Sequence, residues 1–337
     1  MKRLLLVLPF LAFFNNVYAQ TLIQLDEIHL HMKDSIDKEN TSDFYRLYFK
    51  ARRLEGKSLN PSENVDILTL RPKEATINIS YQEVSAVNVQ NSGKEKKTES
   101  FGTAAETISS YGLHWVAINT KNLKKTVKTL LKAGYGFAIE NFYLPGEQEI
   151  NAVAMYGYDN QLVVLVERED KEANTFGIDH VQMIVENLEK SIRFYKDIFN
   201  AELLIKKDRS AVLSVKNQKI VLSEPEALGL VREQIRKIDK NSPNSLDCQL
   251  SFLYEEVEPA FYAVKGQGYE VAVEPETFYY LNKPANYIYS IIRTPDGAPL
   301  KIFQENGRLA ARDAGSNISV GKKKTDQKAE SISLLKR

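Results

Sequence analysis

A β-α-β-β-β pattern recurs along this 337-residue chain, and a recurrence of that kind constrains the fold more than any single residue does. Three copies lie over one another: LHWVAINTKNLKKTVKTLLKAG from Leu113, DHVQMIVENLEKSIRFYKDIF from Asp179, and DCQLSFLYEEVEPAFYAVKGQG from Asp247. Each is a short apolar strand, then a helix-length segment, then strands separated by turn residues such as Gly146 and Asp159-Asn160. The far ends repeat too. Glu167 stands seven residues beyond Asn160, Glu224 seven beyond Asn217, and GAPLKIFQE closes the last copy at Glu305. A further copy of irregular spacing begins at LDEIHLHM, with NTSDFYRLYFKARRL as its helix and ATINISYQEVSAVNV among its strands. All four histidines, His29, His31, His114 and His180, lie on or beside an opening strand, which locates the expected chemistry.

Composition narrows the function classes. With 43% hydrophobic and 26% charged residues the chain can bury ordinary cores, and a net charge of +1 argues against a polyanion-binding surface. The lysine clusters at Lys94 to Lys97 and Lys322 to Lys324 fall in polar stretches where solvated charge is the default, so no nucleic-acid partner is expected. No glycine-rich phosphate loop, paired-cysteine motif or GxSxG elbow occurs. Residues 1–19 read as a signal peptide: Lys2 and Arg3, an apolar stretch from Leu4 to Phe14, and a Val-Tyr-Ala ending. That stretch is short for a bilayer span, so an exported, periplasmic or secreted protein without stable membrane insertion is expected. Cys248 is the only cysteine and sits in an apolar strand, so packing is its expected role and the fold must stand without disulfides. Residues 307–337 read as a disordered tail.

The segment GIDHVQMIVENLEKSIRFYKDIFNAELL, followed by GYEVAVEPETFYYLNKPANYIYSIIRTPDGAPLKIFQE, resembles a complete domain of the vicinal oxygen chelate superfamily, which includes glyoxalases, bleomycin resistance proteins and extradiol dioxygenases. Residues 112–169 resemble the second half of another such domain, with 23–90 as its first half. The resemblance implies an α+β fold of paired βαβββ modules, each pair a cupped sheet around a pocket. It implies two tandem domains, 23–169 with a degenerate first module and 176–306. It implies a small-molecule ligand or substrate as partner, in a chain that is free to form oligomers. Fold is specified strongly by such a resemblance and reaction weakly.

Strand alternation puts Glu27, His29 and His31 on one face of LDEIHLHM, with Ile28, Leu30 and Met32 on the other. In the superfamily a metal ligand sits at the His position of a module's first strand, and His114 and His180 match it. The expected metal set in the first domain is therefore Glu27, His29, His31 and His114, with Glu167 nearer the rim. Such a set suits Zn, Mn, Fe or Ni. The family's carboxylate is missing: the PDGNxxEL pattern would put it at Lys301, Val163 and Val221. A metal-free pocket is expected in the second domain, lined by His180, Gln182, Lys301, Tyr287 and Tyr289.

Two functional classes fit these readings: a metal-dependent lyase, isomerase or dioxygenase acting on vicinal oxygens, and a binding or sequestering protein with degenerate metal sites. No catalytic residue is assigned. The leader makes one direct prediction: exported protein should begin at Gln20 by N-terminal sequencing or intact mass, and export with Met1 to Ala19 still attached would contradict it.

Overall fold

The computed structural model describes residues 22–32, 35–54, 65–71, 74–81, 111–142, 152–158, 161–168, 176–240, 249–279 and 286–305. The leader, Cys248, the 91–100 stretch and the tail lie outside them. Four modules follow one another. The first comprises β1 (Leu22–Met32), α1 (Ser35–Phe49), β2 (Arg52–Arg53), β3 (Asp66–Thr69) and β4 (Thr76–Tyr81). The second comprises β5 (Gly112–Thr120), α2 (Leu123–Lys132), β6 (Phe137–Phe142), β7 (Ala152–Tyr156) and β8 (Leu162–Glu167). The third comprises β9 (Gly177–Ile184), α3 (Leu188–Phe199), β10 (Glu202–Lys206), β11 (Ser210–Val215) and β12 (Gln218–Ser223). The fourth comprises β13 (Leu250–Tyr254), α4 (Val257–Gly266), β14 (Val271–Tyr279), β15 (Asn286–Arg293) and β16 (Pro299–Glu305). The expected βαβββ modules are all present. Among the described residues no helix is long and apolar enough to cross a membrane.

In every module the first strand lies parallel to the last, as in β1 with β4 and β9 with β12. Modules join through antiparallel pairing of their first strands, β1 with β13 and β5 with β9. Two eight-stranded sheets result, ordered β2-β3-β4-β1-β13-β16-β15-β14 and β6-β7-β8-β5-β9-β12-β11-β10. Linear order suggests pairing the first module with the second and the third with the fourth. The sheets pair the first with the fourth and the second with the third. One physical reason is chain length: only residues 168–176 separate β8 from β9, and the guanidinium of Arg168 bonds the Asp179 carboxylate at 2.7 and 3.0 Å.

The helices lie between the sheets. α3 shows why this sequence makes a helix: Asn187 caps it by accepting from the Lys190 amide at 2.9 Å, and Asn200 ends it at φ 50. Its buried residues, Leu188, Ser191, Ile192, Phe194, Tyr195, Ile198 and Phe199, follow helical spacing. That face packs across to the other sheet, with Phe199 stacked on Phe252 at 4.0 Å between centroids and Phe194 edge-on to Tyr269 at 4.9 Å. Phe44 meets Tyr135 at 4.9 Å at the other end of the layer. One core therefore includes apolar residues of all four helices and of both sheets. Three aromatic pairs of this kind contribute roughly 0.5–1.5 kcal/mol each beyond the area they bury.

A buried carboxylate also ties the sheets together. Asp296, in the β15–β16 turn, accepts from the Glu186 amide at 2.7 Å and from the Ser191 hydroxyl at 3.2 Å, both next to the start of α3. Burial pushes its pKa up from 3.8 to about 6. A raised carboxyl stabilises the fold fully below its unfolded pKa and loses that contribution as pH climbs through the folded value. Asp296→Asn carries no charge, and its Oδ1 can still accept from the Glu186 amide while its Nδ2 donates to the Ser191 hydroxyl oxygen. Urea titrations from pH 4 to 8 should show the variant lacking a component of decline between pH 4 and 6, and about 1–3 kcal/mol more stable at pH 8. Equal pH profiles would contradict the assignment.

Candidate functional site

Each sheet has a helix-facing side and an opposite side, which the fold makes its cup face. On β1, Leu25 and Ile28 join the helical core, while a bulge between Leu25 and Glu27 resets the phase so that Glu27 and His29 point into the cup. Register then lays a polar row across four adjacent strands. Thr76 of β4 is opposite Glu27, Glu27 is opposite Ser251 of β13, and Ser251 is opposite Lys301 of β16. With strands about 4.8 Å apart, such a row brings side chains from separate modules into contact.

The contacts are specific. The Lys301 ammonium donates to Glu27 Oε2 at 3.0 Å, and His29 Nε2 lies 3.1 Å from the same oxygen and 2.8 Å from Ser251 Oγ. Both His29 bonds use one ring nitrogen, so this is not a relay in which a serine and a carboxylate take opposite nitrogens. Burial alone would raise Glu27, but Lys301 and His29 outweigh it and hold the carboxyl well below its usual range. Burial drives His29 the other way and favours its neutral form, against the pull of Glu27. The cluster is therefore an ion pair with a neutral imidazole beside it. An apolar wall of Leu253 and Phe303, flanked by Ile23 and Tyr289, borders it, and the Lys301 ammonium sits 5.4 Å from the Phe303 ring centroid.

The expected metal set is not assembled. Glu27 and His29 meet, but His31 is exposed and its Nδ1 bonds Ser80 Oγ at 3.0 Å, its ring 6.2 Å from that of His29. His114 belongs to the other sheet, at a bulge where β5 register jumps from Leu113↔Met183 to Trp115↔Gln182. The neighbouring cup-face positions of β5 are held by Trp115 and Ala117. Glu167 caps a helix: its Oε1 accepts the Leu123 amide at the start of α2 at 3.1 Å. Glu224 does the same for Leu188 of α3 at 3.0 Å, and Gln304 for Val257 of α4 at 3.0 Å. The repeated glutamates thus satisfy orphan N–H groups and complement the helix dipole, which is a reason for the repeat that needs no metal.

No group of three or more His, Cys, Asp and Glu side chains able to hold a metal ion occurs among the described residues. The carboxylate best placed for a cation already holds an ammonium of the chain. Glu27 and Lys301 together are neutral, and a divalent ion would have to enter against the lysine charge. Among the described residues, this donor set does not fit the divalent metal that the resemblance implies.

The expected second pocket is divided between the sheets. Lys301 and Tyr289 belong to the first cup, where the Tyr289 hydroxyl donates to Glu276 at 3.1 Å. Tyr287 pairs in backbone register with Glu305, and its side chain lies outside the described residues. His180 and Gln182 belong to the second sheet, opposite Ala117 and Trp115. His180 and Lys301 therefore do not share a cup, because their strands, β9 and β16, belong to different sheets. The second cup face includes Ala152, Ala154, Val164 and Val166, covered by Leu230 and Ile235, with Lys219 of β12 opposite His180 in register.

Sequence reading missed Ser251 and the Glu27–Lys301 pair. A lysine at the missing-carboxylate position was a signal for the second, but its partner was sought in the wrong module. The pairing predicts that Lys301→Met, which strands a buried carboxylate, destabilises the protein by about 3–5 kcal/mol in urea unfolding. Adding Glu27→Gln should recover most of that loss, and additive losses would contradict the pairing.

Residues 177–302 match the family model described as Glyoxalase/Bleomycin resistance protein/Dioxygenase superfamily. No curated protein sequence matches the chain. Among solved structures, a glyoxalase I variant from Zea mays superposes with a TM-score of 0.63 at 15% identity, covering 89% of this chain and 99% of that one. Glyoxalase I from Zea mays gives 0.59 at 15% identity, covering 88% and 96%. A candidate dioxygenase from Bacillus subtilis gives 0.55 at 13% identity, covering 86% and 87%. At these identities the structural likeness is one of fold. Residues 177–302 are thus similar to that superfamily's model, and the described residues share the fold of glyoxalase I, four modules in two sheets.

Proposed function

We propose that the chain is an exported small-molecule-binding protein that uses the superfamily's cup with a built-in lysine in place of a divalent ion. The observation that carries this reading is the Lys301 ammonium, 3.0 Å from the one buried carboxylate that sits beside an imidazole in the first cup. An ammonium has three N–H donors, and Glu27 accepts from one of them. Ser251 adds a hydroxyl one strand away, and Leu253 and Phe303 offer an apolar wall. This combination suits a ligand with an apolar or aromatic body and one or two carbonyl or hydroxyl oxygens turned toward Lys301. The ligand oxygens that a relative would chelate to a metal would here accept hydrogen bonds from the chain.

A competing reading, metal-dependent turnover of a vicinal-oxygen substrate, rests on the fold and on the Glu27–His29 contact. It requires Lys301 to leave Glu27. Metal analysis separates the two. Wild-type mature protein dialysed against Zn²⁺ or Mn²⁺ should retain less than stoichiometric metal. Lys301→Glu, which sets a second carboxylate beside Glu27 and His29, should gain zinc affinity readable by isothermal titration. Stoichiometric metal in wild type that is lost in Glu27→Gln would sink the binding-protein reading.

A further inference from the structure

We infer that the outer face of α2 is an adsorption surface for a bilayer rich in anionic phospholipid. The helix reads LKKTVKTLLK from Leu123 and turns Leu123, Thr126 and Leu130 into the core. Lys124, Lys128 and Lys132 recur every four residues, with Lys125 one position on from the first, and all four are exposed. At about 100° per residue they share an arc of about 100°, in a row about 12 Å long. Lys121, also exposed, continues the row just ahead of the Asn122 cap.

No described carboxylate offsets this charge. Lys206, Lys237, Lys240 and Lys265 each pair with a glutamate, whereas none of the ion pairs among the described residues includes Lys121 or a lysine of α2. On α1, which meets the end of α2 through Tyr48 and Tyr135, Asp43 is already held by Arg46 at 2.8 Å.

The row also weakens the helix that carries it. Lys124 with Lys128 and Lys128 with Lys132 are like charges four residues apart, and Lys124 and Lys125 stand in the first turn, where the helix dipole favours carboxylates. The other three helices follow that preference, with Asp37, Glu189 and Glu258 in their first turns. Local helix energetics therefore does not account for the row, and recognition of negative charge does.

The chemistry of the face selects the partner. Ammonium groups are flexible point charges without arginine's planar fork, so the row reads charge density and not the shape of one anion. α2 has no aromatic side chain on which a base could stack, and a net charge of +1 for the whole chain supplies no wider basic footprint for a nucleic acid. Anionic headgroups present spread negative charge to such a row, and Leu131, 41% exposed beside it, adds an apolar contact at headgroup level. The first cup lies elsewhere: α2 packs on the helix-facing side of the other sheet, so this inference does not rest on that cup's ligand.

The chain beginning at Gln20 would be sedimented with large vesicles of phosphatidylcholine alone and of phosphatidylcholine and phosphatidylglycerol in equal parts. Wild type should sediment with the anionic vesicles only, and should be released between about 0.01 and about 1 M salt, as the Debye length falls from about 30 to about 3 Å. Each lysine near an anionic surface contributes a factor of about five, so Lys124→Gln/Lys128→Gln should weaken partitioning about thirtyfold. Lys190→Gln/Lys196→Gln removes the same charge from exposed positions of α3 and should leave partitioning nearly unchanged. Both double variants retain Lys94 to Lys97 and Lys322 to Lys324, so the difference between them belongs to α2. If the α2 double variant fails to fold, Lys132→Gln carries the test with a loss of about fivefold. Equal weakening by the two double variants, equal binding to neutral vesicles, no binding to anionic vesicles at low salt, or lysine-dependent binding to heparin without binding to vesicles would overturn the proposal.

Discussion

The antiparallel pairing of first strands, β1 with β13 and β5 with β9, is the interaction on which the rest of the molecule depends. Each module closes its own parallel contact between first and last strand, but a module alone leaves its first strand with an open edge. Whichever partner covers that edge decides which side chains face one another across the cup. Because β1 takes β13, Glu27 meets Ser251 and, one strand further, Lys301. Because β5 takes β9, Ala117 meets His180 and Trp115 meets Gln182. Two chemically distinct cups follow from one rule of pairing.

The helix ends show how tightly the modules are built around this rule. In the second and third modules a glutamate at or just beyond the last strand accepts the first amide of the helix, and in the fourth a glutamine does the same. The bond links the far end of the module to its beginning, next to the strand it parallels. It fixes helix direction against the sheet and leaves the opposite face free for polar side chains. The Asp296 carboxylate extends the same logic between modules, since it holds the start of α3 from the turn between β15 and β16.

Electrostatics separates the cups. In the first, a buried carboxylate is kept ionised because a lysine and a histidine surround it. In the second, the charged pair of Arg168 and Asp179 stands to one side of His180 and orients its ring, and Lys219 is opposite His180 in register.

Much of this was legible in the sequence. Alternating apolar strands, Asn-capped helices and the repeated glutamates are local patterns, fixed by backbone geometry and hydrogen bonding within a few tens of residues, and they determine the four modules and the shared face of Glu27 and His29. The sequence also marked Lys301 as wrong for a metal. What it could not determine was partnership. Any first strand can cover any other with the same alternation, so pairing the first module with the fourth is decided by the packing of helices between the sheets and by the short connection from β8 to β9. The bulge that leaves His114 outside the cup-face pattern, the helix-capping role of Glu167 and the separation of His180 from Lys301 all depend on register between distant segments. Register is set by long-range contact, and only the tertiary structure supplies it.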